Sequence, residues 1–217
     1  MVTEHIVMQK YKFSCPVVKS KLKDYKSINQ KLLKFFESCE GETVDIGQGY
    51  RINDLEFPDS FSKLDWRHCN NYDREWVKYF LPLLESELTH MIYSMSYQGI
   101  KFRGIWFQQY KKHNTHGWHT HAENFTGVYY VQLDKKSPNT EIVDPFNNRK
   151  IRRMDVEEGD LIFFPSFFIH RAPPLLNDTQ KTIVSFNFNV TKPIESSYKN
   201  FYHADYFTRI RKRLGWR

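Results

Sequence analysis

A chain of 217 residues is long enough for one well-buried domain and too short for two comfortable ones. With 40% hydrophobic and 17% aromatic residues, among them 18 Phe and 13 Tyr, it is neither a disordered nor a fibrous sequence. Three widely spaced cysteines, Cys15, Cys39 and Cys69, argue against a disulfide framework and for a reducing, cytoplasmic setting, and no apolar run approaches membrane-spanning length.

The first residues, Met1 to Met8, carry no basic segment ahead of an apolar one, so secretion is not expected. Residues 4–13 fit an edge strand. Tyr25 to Ser38 reads as a short amphipathic helix with Ile28, Leu32, Phe35 and Phe36 on one face, and Gly41, Gly47 and Gly49 mark turns after it. From Asp73 to about Tyr97, Val77, Phe80, Leu81, Leu84, Leu88, Met91, Ile92 and Met95 recur at helical spacing, a stripe suited to packing on a sheet. Pro82 removes one backbone hydrogen bond inside that stretch, which predicts a kink or a helix that begins near it.

Beyond Gln98-Gly99 the pattern changes to period two. Ile100 to Tyr110, Gly127 to Leu133, Thr140 to Val143, Ile151 to Met154, Leu161 to Phe164 and Thr182 to Thr191 read as strands, separated by turns such as Lys136-Ser137-Pro138-Asn139 and Asn147-Asn148. Helices followed by a strand-rich half give an α+β class, with the helices buttressing one sheet of a β-sandwich or barrel. The formal net charge of +7 permits contact with nucleic acid or another polyanion. Much of it lies in Arg209, Arg211, Lys212, Arg213 and Arg217, which read as a solvated terminal helix, so nucleic acid is not the favoured partner.

The chemistry is concentrated in two segments. In Gly117-Trp118-His119-Thr120-His121, strand geometry would send His119 and His121 to one face. In Gly159-Asp160-Leu161-Ile162-Phe163-Phe164-Pro165, a turn leads into a buried strand ended by proline, with His170 just beyond it. Three imidazoles converging from two segments would hold a single metal and leave positions open, as non-haem iron sites do. A structural zinc site is the competitor, but such sites usually close with four ligands and favour Cys, which this region lacks. His113 and His116, in a polar stretch with Asn114, Thr115 and Gly117, read as solvated loop residues.

From about Trp106 to Val190 the sequence resembles the iron(II)- and 2-oxoglutarate-dependent dioxygenases, in particular their small prolyl-4-hydroxylase-like branch. The resemblance rests on His119-Thr120-His121, Gly127-Val128-Tyr129-Tyr130, Asp144-Pro145 and Gly159 through His170. It implies a double-stranded β-helix (a jelly-roll, cupin-like barrel) over residues 99–192, a supporting region over 1–98 packed on it and a basic segment over 193–217, a single domain overall. It also implies Fe(II) held by His119, His121 and His170, with 2-oxoglutarate and O2 as co-substrates.

In that family the second ligand is a carboxylate, so His121 is a departure. Glu123 is the alternative, since His121, Glu123 and His170 would restore the usual ligand types. The resemblance further implies that Lys181 and Tyr110 contact 2-oxoglutarate. Ser185 and Asn187 share the Lys181 face of their strand, so all four are candidate cosubstrate-binding residues. The expected activity is an oxygenase that couples decarboxylation of 2-oxoglutarate to hydroxylation of an unidentified substrate. Two rival readings stand beside it: a cupin-like metal-dependent isomerase or dioxygenase working without 2-oxoglutarate, and a non-catalytic module binding a polyanion through the basic tail.

Overall fold

Strand alternation sorts the apolar side chains of this chain into two separate cores, and the functional residues lie against one of them. The structure, a computed structural model, describes residues 15–39, 41–45, 59–147 and 150–194. The strand expected over 4–13 and the basic terminal helix lie outside the described residues.

In chain order the elements are β1 (Val18–Lys21), α1 (Tyr25–Ser38), β2 (Glu42–Asp45), β3 (Ser60–Leu64), α2 (Glu75–Ser94), β4 (Tyr97–Tyr110), β5 (His116–His119), β6 (Phe125–Gln132), β7 (Glu141–Val143), β8 (Ile151–Arg153), β9 (Asp160–Pro165), β10 (His170–Ala172) and β11 (Lys181–Pro193). A seven-stranded sheet runs β1-β9-β6-β11-β4-β3-β2, and a four-stranded sheet runs β5-β10-β7-β8. The α+β class is as expected. The strands of the second half fall where the period-two pattern places them, and α1 spans the residues the sequence assigns to it.

Both helices cover one face of the large sheet. Ile28, Leu32 and Phe36 of α1 and Trp76, Phe80, Leu84 and Leu88 of α2 meet Ile105, Phe107, Val184, Phe186 and Phe188 in one apolar cluster. Phe35 is only half-buried and packs beside Tyr79. α2 begins at Glu75, seven residues before Pro82, and continues past it to Ser94. The expectation of a start near Pro82 is therefore corrected. Apolar contacts on both sides of the proline, from Trp76 and Phe80 before it to Leu84 and Leu88 after it, outweigh the ~3 kcal/mol that an interior proline costs. Among the described residues no helix is long and apolar enough to cross a membrane.

The other face of the large sheet turns toward the small sheet. Tyr110, Val128, Tyr130, Ile162, Phe164 and Ile183 pack there against Ile142, Phe168 and Ala172. Gly159, at φ +83°, makes the turn that starts β9, a left-handed conformation that glycine adopts without strain. Gly127 has a different role, because β6 passes so close to Phe186 that an added Cβ would overlap its ring and lie 2.9 Å from the carbonyl oxygen of Ile162. Gly127→Ala is expected to lower stability by roughly 1–3 kcal/mol through overpacking, read as a drop in Tm by circular dichroism. An unchanged Tm would mean that the core yields at this point.

Candidate metal centre

Antiparallel pairing of β5 with β10 sets His119 directly opposite His170, with ring centroids 4.2 Å apart. His121 follows the end of β5 by two residues, and its backbone N–H donates to the carbonyl of Ser166 at 3.0 Å. Its ring lies 5.0 Å from that of His119 and 5.2 Å from that of His170. One ligating nitrogen from each of the three can be chosen so that all lie within 4.8 Å of one another. Glu123 does not belong to this set.

The expectation that His119 and His121 project from a single strand is corrected: the strand ends at His119, and the bond to Ser166 brings His121 round. A bend at Ala122 to Asn124 then leads into β6.

Two of the rings are oriented by main-chain carbonyls. His119 Nδ1 donates to Gly117 O at 2.7 Å and His170 Nδ1 to Phe168 O at 2.9 Å, which leaves each Nε2 with a free lone pair. The Asp59 carboxylate accepts a hydrogen bond from the Gly117 N–H and so ties β5 to the segment before β3. Burial lowers the pKa of all three histidines. For His170 the effect is large, for His119 the Gly117 carbonyl and Asp59 oppose it, and His121 is brought down to about 4. All three are thus neutral near pH 7, the state in which imidazole ligates a metal.

His113 is exposed, as expected of a loop residue, but His116 is not. It opens β5, stacks on His119 with centroids 3.8 Å apart and lines the same narrow cavity. The polar composition that suggests a loop is satisfied here by distant partners. Thr115 donates from its hydroxyl to Ala172 O at 2.9 Å and exchanges backbone hydrogen bonds with Ser60.

The cavity extends from the three histidines along the inward faces of β4 and β11, past Trp106, Gln108 and Ser185 to Tyr110, Thr140 and Ile183. Lys181 is the next inward residue on β11, paired in register with Tyr110 and only 2% exposed. Its Nζ donates to Pro138 O at 2.9 Å and stands 5.6 Å from the centre of the Tyr110 ring. Among the described residues no carboxylate is bonded to it, and burial brings its pKa down to about 8.

The Tyr110 hydroxyl is buried without a hydrogen-bond partner, and burial holds it protonated. Ser185 Oγ donates to Gln108 Oε1 at 3.0 Å, whereas Asn187 lies at the metal end, 3.3 Å from His121 Nδ1. The structure thus sets Lys181 behind Tyr110, which lines one end of the cavity, and Asn187 beside His121, which lines the other, with Ser185 between them.

Sequence reasoning passed over Gln108 and Thr140. Gln108 has the strand parity of Trp106 and Tyr110, which could have marked it. Thr140 hydrogen-bonds Tyr130 Oη at 2.6 Å across a turn that sequence alone does not fold.

A neutral nitrogen triad lining the cavity, with a buried ammonium behind Tyr110, suits a divalent metal beside an anion. Residues 104–187 match a family described as "Putative 2OG-Fe(II) oxygenase". No curated protein sequence matches the chain. Among solved structures it is similar to a viral collagen prolyl hydroxylase from Paramecium bursaria Chlorella virus-1, at 10% identity and TM-score 0.54, covering 88% of this chain and 99% of that one. It is also similar to a 2OG-Fe(II) oxygenase family oxidoreductase from Burkholderia pseudomallei, at 13% identity and TM-score 0.58, covering 79% and 84%. A third likeness is to a Trichoplax adhaerens prolyl hydroxylase in complex with a fragment of the hypoxia inducible factor oxygen degradation domain, at 14% identity and TM-score 0.54, covering 79% and 82%. At these identities the structural likeness establishes the fold, a double-stranded β-helix.

The burial of Lys181 has a measurable consequence. Below about pH 8 the side chain is charged in both folded and unfolded chains, and the folded state bears the full desolvation cost. Between about 8 and the ordinary value of 10.5 the folded chain has released the proton while the unfolded chain still holds it, so stability from this group rises with pH. Lys181→Met, of similar length and uncharged, is expected to raise stability at pH 7 by on the order of 3 kcal/mol, less the bond lost at Pro138. The gain over wild type should shrink as pH climbs through this window, as measured by denaturant melts at pH 7, 8.5 and 10. A variant no more stable than wild type at pH 7 would show that the ammonium is not desolvated.

Proposed function

We propose that His119, His121 and His170 hold the Fe(II) of this enzyme and that Lys181 and Tyr110 receive the distal carboxylate of 2-oxoglutarate, a reading supported by the match of residues 104–187 to a family described as "Putative 2OG-Fe(II) oxygenase". The protein is a dioxygenase-type oxidoreductase whose cofactors are Fe(II) and 2-oxoglutarate. Its overall reaction takes 2-oxoglutarate, O2 and a substrate C–H to succinate, CO2 and the hydroxylated product. The observation that supports the residue assignment is three convergent neutral imidazoles lining one cavity whose far end is formed by Tyr110, with the buried Lys181 ammonium behind that ring.

When bound, Fe(II) supplies the activation of O2 that drives this coupling. The chain's own part is to bind, orient and shield. At neutral pH Lys181 keeps its proton and Tyr110 keeps its own, so both present donors to an incoming carboxylate. A dicarboxylate seated there would present one carboxylate toward the cation and its other end toward the metal site. Trp106, Val128, Ile183 and Phe164 wall the cavity or pack behind it and limit the entry of water.

The family's carboxylate position holds His121, so the ligand set is neutral and the site carries one more positive charge than a set with a carboxylate would. That favours a dianionic cosubstrate. The cupin-like alternative requires Glu123 among the ligands, which the nitrogen triad does not include. The polyanion-binding tail lies outside the described residues. Cys15, Cys39 and Cys69, all unpaired thiols, support a reducing, cytoplasmic setting.

The test is O2-dependent formation of succinate from 2-oxoglutarate with added Fe(II), measured for wild type, His119→Ala, His170→Ala and Lys181→Met. Wild type is expected to turn over, and both alanine variants should fall to background. Lys181→Met should retain metal and raise KM for 2-oxoglutarate at least about tenfold, the scale of one lost charge-assisted contact. With the wild type, KM should also rise about tenfold per pH unit above pH 8, as Lys181 gives up its proton. Turnover that survives both histidine substitutions would remove the proposed centre.

A further inference from the structure

His119 and His170 have a carbonyl oxygen two residues earlier in the chain to take the Nδ1 proton, and His121 does not. The group against His121 Nδ1 is instead the side chain of Asn187, on β11, a strand that belongs to the other sheet. Asn187 is 8% exposed, and its carboxamide Nδ2 lies 3.3 Å from His121 Nδ1 while Oδ1 is buried with no partner.

The two ends of a carboxamide are nearly equal in size, and a half-turn about its terminal bond exchanges them. With nitrogen toward the ring, His121 Nδ1 must accept, its proton resides on Nε2, and the ring has no lone pair to offer a metal on the cavity side. With oxygen toward the ring, Nδ1–H donates to Oδ1 and Nε2 is bare. In the orientation present the far end of the amide, Oδ1, has no partner among the described residues, so turning it gives up no hydrogen bond there and the contact at His121 is the one at stake.

We propose that Asn187 is the positioning residue of this centre: its side-chain oxygen accepts the Nδ1 proton of His121 and thereby presents Nε2 to the metal. It does from a neighbouring sheet what Gly117 O and Phe168 O do within the chain segments of the other two ligands. The inference rests on the reading of the three histidines as metal ligands and adds to it the element that fixes the third. Orienting partners of this kind typically change metal affinity by roughly 10–100-fold when removed. Because β11 also carries Lys181, one strand then sets both the third ligand and the cation at the far end of the cavity.

Two measurements test it. Long-range 1H–15N correlation spectra of the metal-free wild type, with the His121 signals assigned by their loss in His121→Ala, should show His121 as the Nδ1–H tautomer. An Nε2–H tautomer overturns the proposal without any variant having to fold. Titration with Co(II), followed by its visible absorption, should then give Asn187→Leu an affinity roughly 10–100-fold below wild type, and Asn187→Asp, which keeps an acceptor in place, an affinity within a few-fold of it. Equal binding by Asn187→Leu and wild type, or Asn187→Asp as weak as Asn187→Leu, also overturns it. Failure of the wild type itself to bind Co(II) would fall on the metal centre as a whole, with the tautomer still deciding the role of Asn187.

Discussion

The register of β10 against β5 is the constraint on which the rest of the site depends. It places His170 opposite His119, and the same register on the other side of β10 sets His170 against Ile142 and Arg171 against Glu141. The outward row is locked by charge. Glu141, nearly buried, receives Arg171 from β10 and Arg153 from β8, and the Arg171 guanidinium lies 4.4 Å from the centre of the Trp118 ring on β5. A slip of one residue would turn His170 to the outer face and drive Arg171 into the apolar interior, an exchange in which both changes are unfavourable. The ion pairs therefore matter less for their own strength than for the register they enforce one row away from the ligands.

The interior face carries the opposite logic. Polar groups at the two ends of the cavity are left incomplete: Tyr110 Oη beside Lys181 at one end, and one end of the Asn187 carboxamide beside His121 at the other. Each buried polar group without a partner costs about 1–3 kcal/mol, and a desolvated ammonium costs more. The apolar helix-side core, with Phe36 stacked on Phe107 and Trp76 edge-on to both, supplies the stability that tolerates these groups. They lie on the side of the large sheet away from the helices, so the sheet separates the apolar helix-side core from the incomplete polar groups.

Local periodicity made most of the scaffold legible. The 3.6-residue spacing of Ile28, Leu32 and Phe36 gives α1, and the alternation along Thr182 to Asn187 sorts Ile183 and Ser185 inward from Val184 and Phe186. What was not legible depended on contacts between segments far apart in sequence. His116 looks like a loop residue because Asn114 and Thr115 are polar, and it becomes a cavity wall because Ser60 and Ala172 complete the hydrogen bonds of Thr115. His121 reads as the second residue of a strand step, yet it is carried by the Ser166 carbonyl after the strand has ended. Pro82 reads as a kink or a helix start, and buried side chains on either side of it carry α2 through the proline, which excludes the start. Spacing identified which residues converge, and non-local hydrogen bonds determined how.

The replacement of a carboxylate by His121 shows how these features bear on one another. A carboxylate ligand carries its own charge and can accept a hydrogen bond at its second oxygen, whereas an imidazole must be told which nitrogen to present. A three-histidine centre therefore needs an acceptor for every Nδ1 proton. Two carbonyls at Gly117 and Phe168 meet that need through local chain geometry, and the third must come from elsewhere in the barrel. On the proposed ligand set, the extra positive charge left at the metal would add to the field of Lys181, so both would attract the same dianion. With a carboxylate in place of His121 the buried ammonium would be the main source of that attraction. On that assignment the task would be divided between two places, with Lys181 and Asn187 both on β11.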